Sequence, residues 1–290
     1  MTKNPPKLIV IVGETASGKS SLALQLAQQF NGGIISADSW AVYKGFDIGT
    51  AKPTKAERAL VPHFCVDVAD PAVGFSAAEF QRLAKHAIAE LSQQNKLPIL
   101  VGGTGLYIDS ILYDYSFLPP SAPELRLGLN SLSLPDLLKK ADSLGLDTAG
   151  IDIRNKRRVI RLIENNGRRP TKTQLRPNTL VLGVRRDRAE LEKRIYERID
   201  NMVESGFVEE VRKLGLRYGW DCEPMKAPGY RAFAAYVRGE ETLDAAKQRV
   251  AQNDLQLAKK QRTWFKRNDS IQWVSDPSYA VDLVTTFLSN

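Results

Sequence analysis

Leu8 to Val12 is an unbroken apolar, β-branched run, the pattern of a strand buried on both faces. From Ser20 to Phe30 the apolar residues recur instead at helical spacing, through Leu22, Leu26 and Phe30, so a strand, a turn and a helix follow one another. Gly33 to Ala37, Pro98 to Val101 and Thr179 to Val184 predict three further buried strands, with a helix over Ser76 to Gln93 between two of them. Strand and helix in alternation predict an α/β fold, a parallel sheet flanked by helices. Between Tyr113 and Asn178 the pattern changes: Pro119, Pro120, Pro123 and Pro135 punctuate short helical pieces, and the basic segment DIRNKRRVIRLIENNGRRP (Asp152 to Pro170) follows. This predicts a small helical insertion, residues 113–178, in a core made of residues 1–112 and 179–290. Downstream, Arg188 to Leu216 reads as one long amphipathic helix carrying Leu191, Ile195, Ile199, Met202, Val208 and Val211 toward the core. A further helix, Thr242 to Phe265, ends in the basic-aromatic run AKKQRTWFKR. No internal repeat is present.

A hydrophobic share of 43% with 26% charged residues over 290 positions excludes the disordered and low-complexity classes and supplies enough apolar side chains for a real core. The net charge of +8 is compatible with a polyanionic partner and equally with a solvated surface, so it decides nothing alone. Two cysteines, Cys65 and Cys222, match no metal-ligand spacing and no disulfide framework, which fits a reducing, cytoplasmic setting. The first apolar run meets Gly13 too soon for a signal segment or a membrane span, so no membrane association is expected.

Gly13 to Ser20, GETASGKS, satisfies G-x-x-x-x-G-K-[ST] and stands where that motif works, after a buried strand and at the head of a helix. Its glycines let backbone N–H groups curl round phosphate oxygens, and the helix N-terminus adds a favourable dipole. Lys19 supplies a point charge, and the Ser20 hydroxyl is placed to hold Mg²⁺. A diphosphate or triphosphate ligand follows, although the loop does not say whether it is a nucleotide. The second strand runs into Asp38-Ser39, and strand ends line the ligand crevice of such sheets. Asp38 is therefore available as a general base or a metal ligand; an Asx turn or helix cap is an equal reading. Gly102-Gly103-Thr104-Gly105 after the third strand is either a close approach to ligand or simply a tight turn.

Four segments together resemble the tRNA dimethylallyltransferase family, which prenylates the adenosine immediately 3′ of certain anticodons. They are GETASGKS, DSWAVYKGFDIGTAKP (Asp38 to Pro53), PHFCVD with DPAVGFSAAEF (Pro62 to Phe80), and VGGTGLYI (Val101 to Ile108). The likeness continues through NKRRVIRLIE, RAELEKRIYERIDNMVESGFVEEV, GYRAFAAYVRGE and AKKQRTWFKR, and so covers nearly the whole chain. The resemblance implies that the loop holds the diphosphate of dimethylallyl diphosphate, not ATP, on Gly13, Thr15, Ala16, Ser17, Gly18, Lys19 and Ser20, with Mg²⁺ at Ser20. It implies Asp38 as the base for the N6 amine of adenine, with Lys19 and Thr104 as the other catalytic positions. Matching RNA-contacting positions are Asp38, Ser39, Trp40, Ala41, Thr104, Arg126, Arg157, Arg158 and Arg161, toward a tRNA anticodon stem-loop. Lys259, Lys260, Arg262, Lys266 and Arg267, around Trp264 and Phe265, either face RNA or cap the core.

Three departures stand out. Ala41 replaces the Gln or Leu common in the family, Asp254-Leu255 replaces Thr-Arg ahead of AKKQ, and the insertion is short. The loss of that arginine makes Arg231 the expected distal cation on the diphosphate, with Arg185 and Arg186 behind it. A monomer is expected, as is usual for the family. The rival readings are an adenylate isopentenyltransferase acting on free AMP, a small-molecule kinase, and a non-catalytic RNA-binding protein on the same scaffold. The basic insertion and long C-terminal helices favour RNA over a mononucleotide.

Overall fold

Every residue of Leu8–Gly13 is buried, as a strand with neighbours on both sides and helices on both faces requires. In the computed structural model, which describes residues 5–290, this strand (β1) lies inside a six-stranded sheet. Residues 1–4, with which the expected core begins, lie outside the described residues. β2 (Gly32–Ser36), β4 (Leu97–Gly102) and β5 (Thr179–Val184) are the other strands legible in the sequence. Two edge strands were not: β3 (His63–Phe64) and β6 (Ile271–Val274). The order is β3-β2-β4-β1-β5-β6, and all pairings are parallel. Val12 lies opposite Gly102 and Gly13 opposite Val184, so the loops after β1 and β4 leave the sheet side by side.

One face is covered by α1 (Lys19–Gln29) and α12 (Pro277–Ser289): Leu22, Leu26, Ala280 and Val284 pack with Ile9, Ile11, Ile99 and Leu182. Burying a side chain such as Leu26 contributes about 2 kcal/mol. α2 (Lys55–Leu60) and α3 (Ala77–Gln93) both start at capping boxes, Thr54 with Glu57 and Ser76 with Glu79, each satisfying two otherwise unpaired N–H groups. α4 (Gly105–Leu112) follows the glycine turn after β4. No helix among the described residues is long and apolar enough to cross a membrane.

A second compact unit spans Tyr113–Gln174. The prolines punctuate its short helices as expected: Pro119 and Pro120 lie in the stretch ahead of α5 (Pro123–Ser131), Pro123 opens α5, and Pro135 sits in the first turn of α6 (Leu134–Ser143), where no N–H is needed. With α7 (Lys156–Glu164) these bury Leu129, Leu137, Ala141, Val159, Ile160 and Ile163. The unit closes four residues before the expected return at Asn178. Arg176 Nη2 and Asn178 Nδ2 donate to the carbonyls of Pro6 and Pro5 at 2.7 and 2.9 Å, which ties that stretch to the start of β1.

The single helix expected over 188–216 is two. α8 (Arg188–Glu204) stops at Ser205, and α9 (Phe207–Tyr218) starts after Gly206, whose φ of 93° is left-handed. Apolar periodicity continues across the joint, but glycine alone adopts that φ without strain, and here it turns the chain. α10 (Pro228–Val237) and α11 (Leu243–Phe265) complete this side; α11 spans the helix expected from Thr242 to Phe265, with Thr242 as its cap.

Candidate active site

The loop after β1 reverses through two left-handed residues, Ala16 at φ 60° and Gly18 at φ 94°, before α1 begins. Its N–H groups therefore line a concave turn at a helix N-terminus, an arrangement that favours anions. Lys19 Nζ bonds back to the Glu14 carbonyl at 3.0 Å. Enclosure pulls the Lys19 pKa down to about 8, although the charge of Asp38 favours the protonated form. Two arginines reach the loop, Arg198 from α8 and Arg186 from the turn just before it. Arg198 donates to Thr15 Oγ1 at 2.9 Å through Nη1 and pairs with Asp254 through Nη2, while Arg186 Nε donates to the Ser17 carbonyl at 3.2 Å. Three buried groups here have no hydrogen-bond partner: Ser17 Oγ, Arg194 Nη1 and Arg198 Nε. Arg194 Nη1 has only a loose ion pair, 3.6 Å from Glu190. Buried donors left unpaired are costly, so their clustering at one anion-shaped loop marks a ligand's place.

From the loop a cleft of about 430 Å³ crosses the carboxyl ends of β4 and β2 toward β3. Ile34, Ser36 and Asp38 line it at the alternate positions of a strand, opposite Leu24 of α1. Asp38 does make the Asx turn: its Oδ1 accepts from Trp40 N at 2.8 Å and Ala41 N at 3.2 Å. Its Oδ2 takes no hydrogen bond from the described residues, so the turn and a chemical role coexist, one oxygen for each. Thr104 sits beside it. Its Oγ1 accepts from Ser39 N at 3.1 Å and lies 3.3 Å from Ser39 Oγ, and its N–H donates to the Ala37 carbonyl at 3.2 Å, which fastens the end of β2 to the head of α4.

The segment DIGTAKP proves to be framework as well as cleft wall. Glu210 of α9 accepts from the N–H groups of Asp47, Ile48 and Gly49 at 3.0–3.2 Å and from the Tyr230 hydroxyl at 2.6 Å. Burial and that carboxylate push the Tyr230 pKa up. Lys52, with 2% of its side chain exposed, bonds the Tyr43 carbonyl, Asp47 and Asp67 at 2.5, 2.8 and 2.6 Å. His63 lines the far end of the cleft and donates from Nδ1 to the Val61 carbonyl at 2.9 Å; burial lowers its pKa, so it is neutral at pH 7.

Of the residues named from sequence, Thr15, Ala16, Gly18, Lys19, Ser20, Asp38 and Ala41 line the cleft. Gly13 and Ser17 are buried beneath the loop, and Ser39, Trp40 and Thr104 flank it. Arg231 lies on the exposed side of α10, outside the cleft lining; the arginines that do line it, beside Lys19 and Lys52, are Arg194 and Arg198, four apart on α8. The basic-aromatic end of α11 divides by face. Gln261 Oε1 accepts from Thr15 N at 2.7 Å while its Nε2 donates to the Gly103 carbonyl at 3.2 Å. Arg262 pairs with buried Glu14, and Trp264 Nε1 donates to Asp109 at 3.0 Å, whereas Lys259, Lys260, Lys266 and Arg267 are exposed. In the second unit Arg126 and Arg161 both pair with the fully buried carboxylate of Glu164, at 2.5 and 3.2 Å, while Arg157 and Arg158 are exposed.

Comparison with known proteins agrees with this arrangement. A family model described as IPP transferase matches residues 41–268. A tRNA dimethylallyltransferase of Anoxybacillus flavithermus is 42% identical over 92% of this chain and 89% of its own. The structure of a tRNA isopentenylpyrophosphate transferase from Bacillus halodurans superposes with a TM-score of 0.74 at 36% identity, covering 98% of this chain and 95% of the other. A eukaryotic dimethylallyltransferase, solved in snapshots of its action on tRNA, gives a TM-score of 0.82 at 26% identity over 98% of this chain and 80% of that one. The chain thus belongs to the IPP transferase family, that of the tRNA dimethylallyltransferases.

Proposed function

We propose that this protein transfers a dimethylallyl group from dimethylallyl diphosphate to N6 of the adenosine 3′ of the anticodon in tRNA. The observation that carries this reading is one cleft joining an anion cradle, Lys19 with Arg194 and Arg198 at the phosphate loop, to a carboxylate with a free oxygen, Asp38. The N6 lone pair forms a bond to the allylic C1, the C1–O bond breaks with its electrons leaving on diphosphate, and the N6 proton passes to Asp38. Charge accumulates on the leaving oxygens as the bond breaks, so cations already fixed there stabilise the transition state more than the bound donor. The Asx turn holds the Asp38 rotamer, which leaves Oδ2 as the proton acceptor.

Magnesium suits the donor set. Ser20 at the head of α1 is exposed to the cleft, Asp38 lines the same cleft, and this hard ion takes few protein oxygens when substrate phosphates complete its shell. Ser20 would hold it, and the ion would neutralise part of the diphosphate's charge. Incubating the protein and Mg²⁺ with labelled dimethylallyl diphosphate and tRNA, AMP or neither tests the whole reading. Label in tRNA alone is expected; label in AMP would make the enzyme an adenylate isopentenyltransferase.

Lys19 gives the donor site a pH dependence. Its pKa in the free protein is about 8, so the ammonium that attracts diphosphate is present below that pH and lost above it. Pyrophosphate affinity is expected to fall as pH rises through this value, with binding at about pH 9 drawing in close to one proton. Calorimetry in buffers of different ionisation heat reads that uptake, and an affinity flat across the range would place Lys19 away from the ligand.

Within the second unit the four arginines named toward tRNA are not equivalent. Arg158 is exposed, whereas Arg161 neutralises buried Glu164. Arg158→Ala is expected to weaken every tRNA alike and to lower the steepness of the salt dependence by about one phosphate contact. Arg161→Ala should lower Tm and leave that slope unchanged. Filter binding across a salt series distinguishes them; a slope unaltered in Arg158→Ala would make it an ordinary solvated side chain.

A further inference from the structure

We propose that Asp254 is a positioning residue for Arg198, and that by fixing this guanidinium against the phosphate loop it sets how tightly the cleft holds the donor's diphosphate. The proposal rests on the reading of that loop as the diphosphate site. Asp254 lies in the middle of α11 with 7% of its surface exposed, a place where a carboxylate is costly without a partner. Its partner is Arg198, which spends one terminal nitrogen on Asp254 and the other on Thr15 Oγ1, so that the plane of the guanidinium is pinned at both ends. Only Nε is left buried and unpaired. A guanidinium held by two fixed acceptors loses little further freedom when an anion arrives, and that saving appears as affinity.

The same helix face repeats the device. Gln261 and Arg262 follow Asp254 by two helical turns, Gln261 holding Thr15 N and Arg262 holding Glu14. The α11 face therefore sets the early residues of the loop through one direct bond to backbone, one ion pair and one bridging arginine. Against the family pattern, Asp254-Leu255 looked like the loss of a cation. Its first residue instead pairs with a cation contributed by α8.

The rival effect has the opposite sign. Asp254 is itself an anion near the loop, and if its charge mattered more than its hold on Arg198, removing it would tighten anion binding. Asp254→Asn separates the two, because the amide keeps the shape and loses the charge. Inorganic pyrophosphate with Mg²⁺ serves as probe in titration calorimetry, alongside steady-state kinetics and tRNA binding. The expected result is affinity for pyrophosphate weakened on the order of tenfold, the loss of one charge-assisted bond's ordering, with KM for the donor raised in step and tRNA affinity unchanged. In an Arg198→Gln background the same substitution should have no further effect. Unchanged or tighter pyrophosphate binding, or penalties that multiply in the double variant, would overturn the proposal. If Asp254→Asn does not fold, Asp254→Thr, which can still accept one bond, takes its place with the same readings. Lys19→Ala is the control: if it leaves pyrophosphate affinity intact, the diphosphate reading itself fails and this proposal with it. If it abolishes binding while Asp254→Asn changes nothing, only the role of Asp254 falls.

Discussion

Asp38→Asn is expected to slow single-turnover transfer by about 10²–10⁴-fold, the usual cost of removing a positioned base, while tRNA and pyrophosphate still bind. The asparagine Oδ1 can go on accepting from Trp40 N and Ala41 N, so the Asx turn and the end of β2 survive. What changes is the second oxygen, replaced by an NH₂ group that cannot take the N6 proton. Rapid-quench measurement at saturating substrates isolates this step from binding. Full activity in the variant would remove Asp38 from the chemistry and leave it the turn alone.

Lys52→Met is expected to cost about 3 kcal/mol of stability, lowering Tm by about 8 °C, because a buried ammonium with three acceptors gives way to a group that satisfies none. Asp67 adds a pH signature. Burial alone would raise its pKa, but the bonds from Lys52 and Arg58 outweigh that and hold it below the ordinary 3.8. Its contribution is therefore present above that pH and fades as pH falls through the depressed value. The gap in Tm between wild type and variant should narrow in acid. Thermal melts across pH test both points; an unchanged Tm at neutrality would free Lys52 from its framework role and return it to the cleft.

The parts of the fold that could be read in the sequence were those where one local rule suffices. β1, β2, β4 and β5 are buried on both faces and so are nearly continuous apolar runs, and the phosphate loop carries its own signature. β3 is only two residues long, and β6 buries only its two end residues, Ile271 and Val274, so neither pattern rises above loop. At the site, Lys19, Ser20 and Asp38 follow strand ends and were found; Arg194 and Arg198 were not. Their signal existed, two arginines one turn apart beside Leu191, Ile195 and Ile199, but which helix face meets the loop is a fact of tertiary packing. The same limit explains Arg231, which shares the cationic chemistry but sits on the solvent side of α10. The pairing of Arg126 and Arg161 with Glu164 likewise needs three residues from two helices, which spacing along one helix does not reveal.

The turn at Gly206 constrains how this chain can change length. On its N-terminal side α8 delivers Arg194 and Arg198 to the phosphate loop, and on its C-terminal side α9 delivers Glu210 to residues 47–49, next to the stretch that forms another wall of the cleft. An inserted or deleted residue inside either helix would rotate everything beyond it by about 100°, uncoupling one wall from the other. The bends at Gly219 and Gly239 carry no such double duty. Length variation is therefore expected to accumulate at those two bends and to be absent from Arg194 to Glu210, a spacing as strict as that between the two teeth of a key.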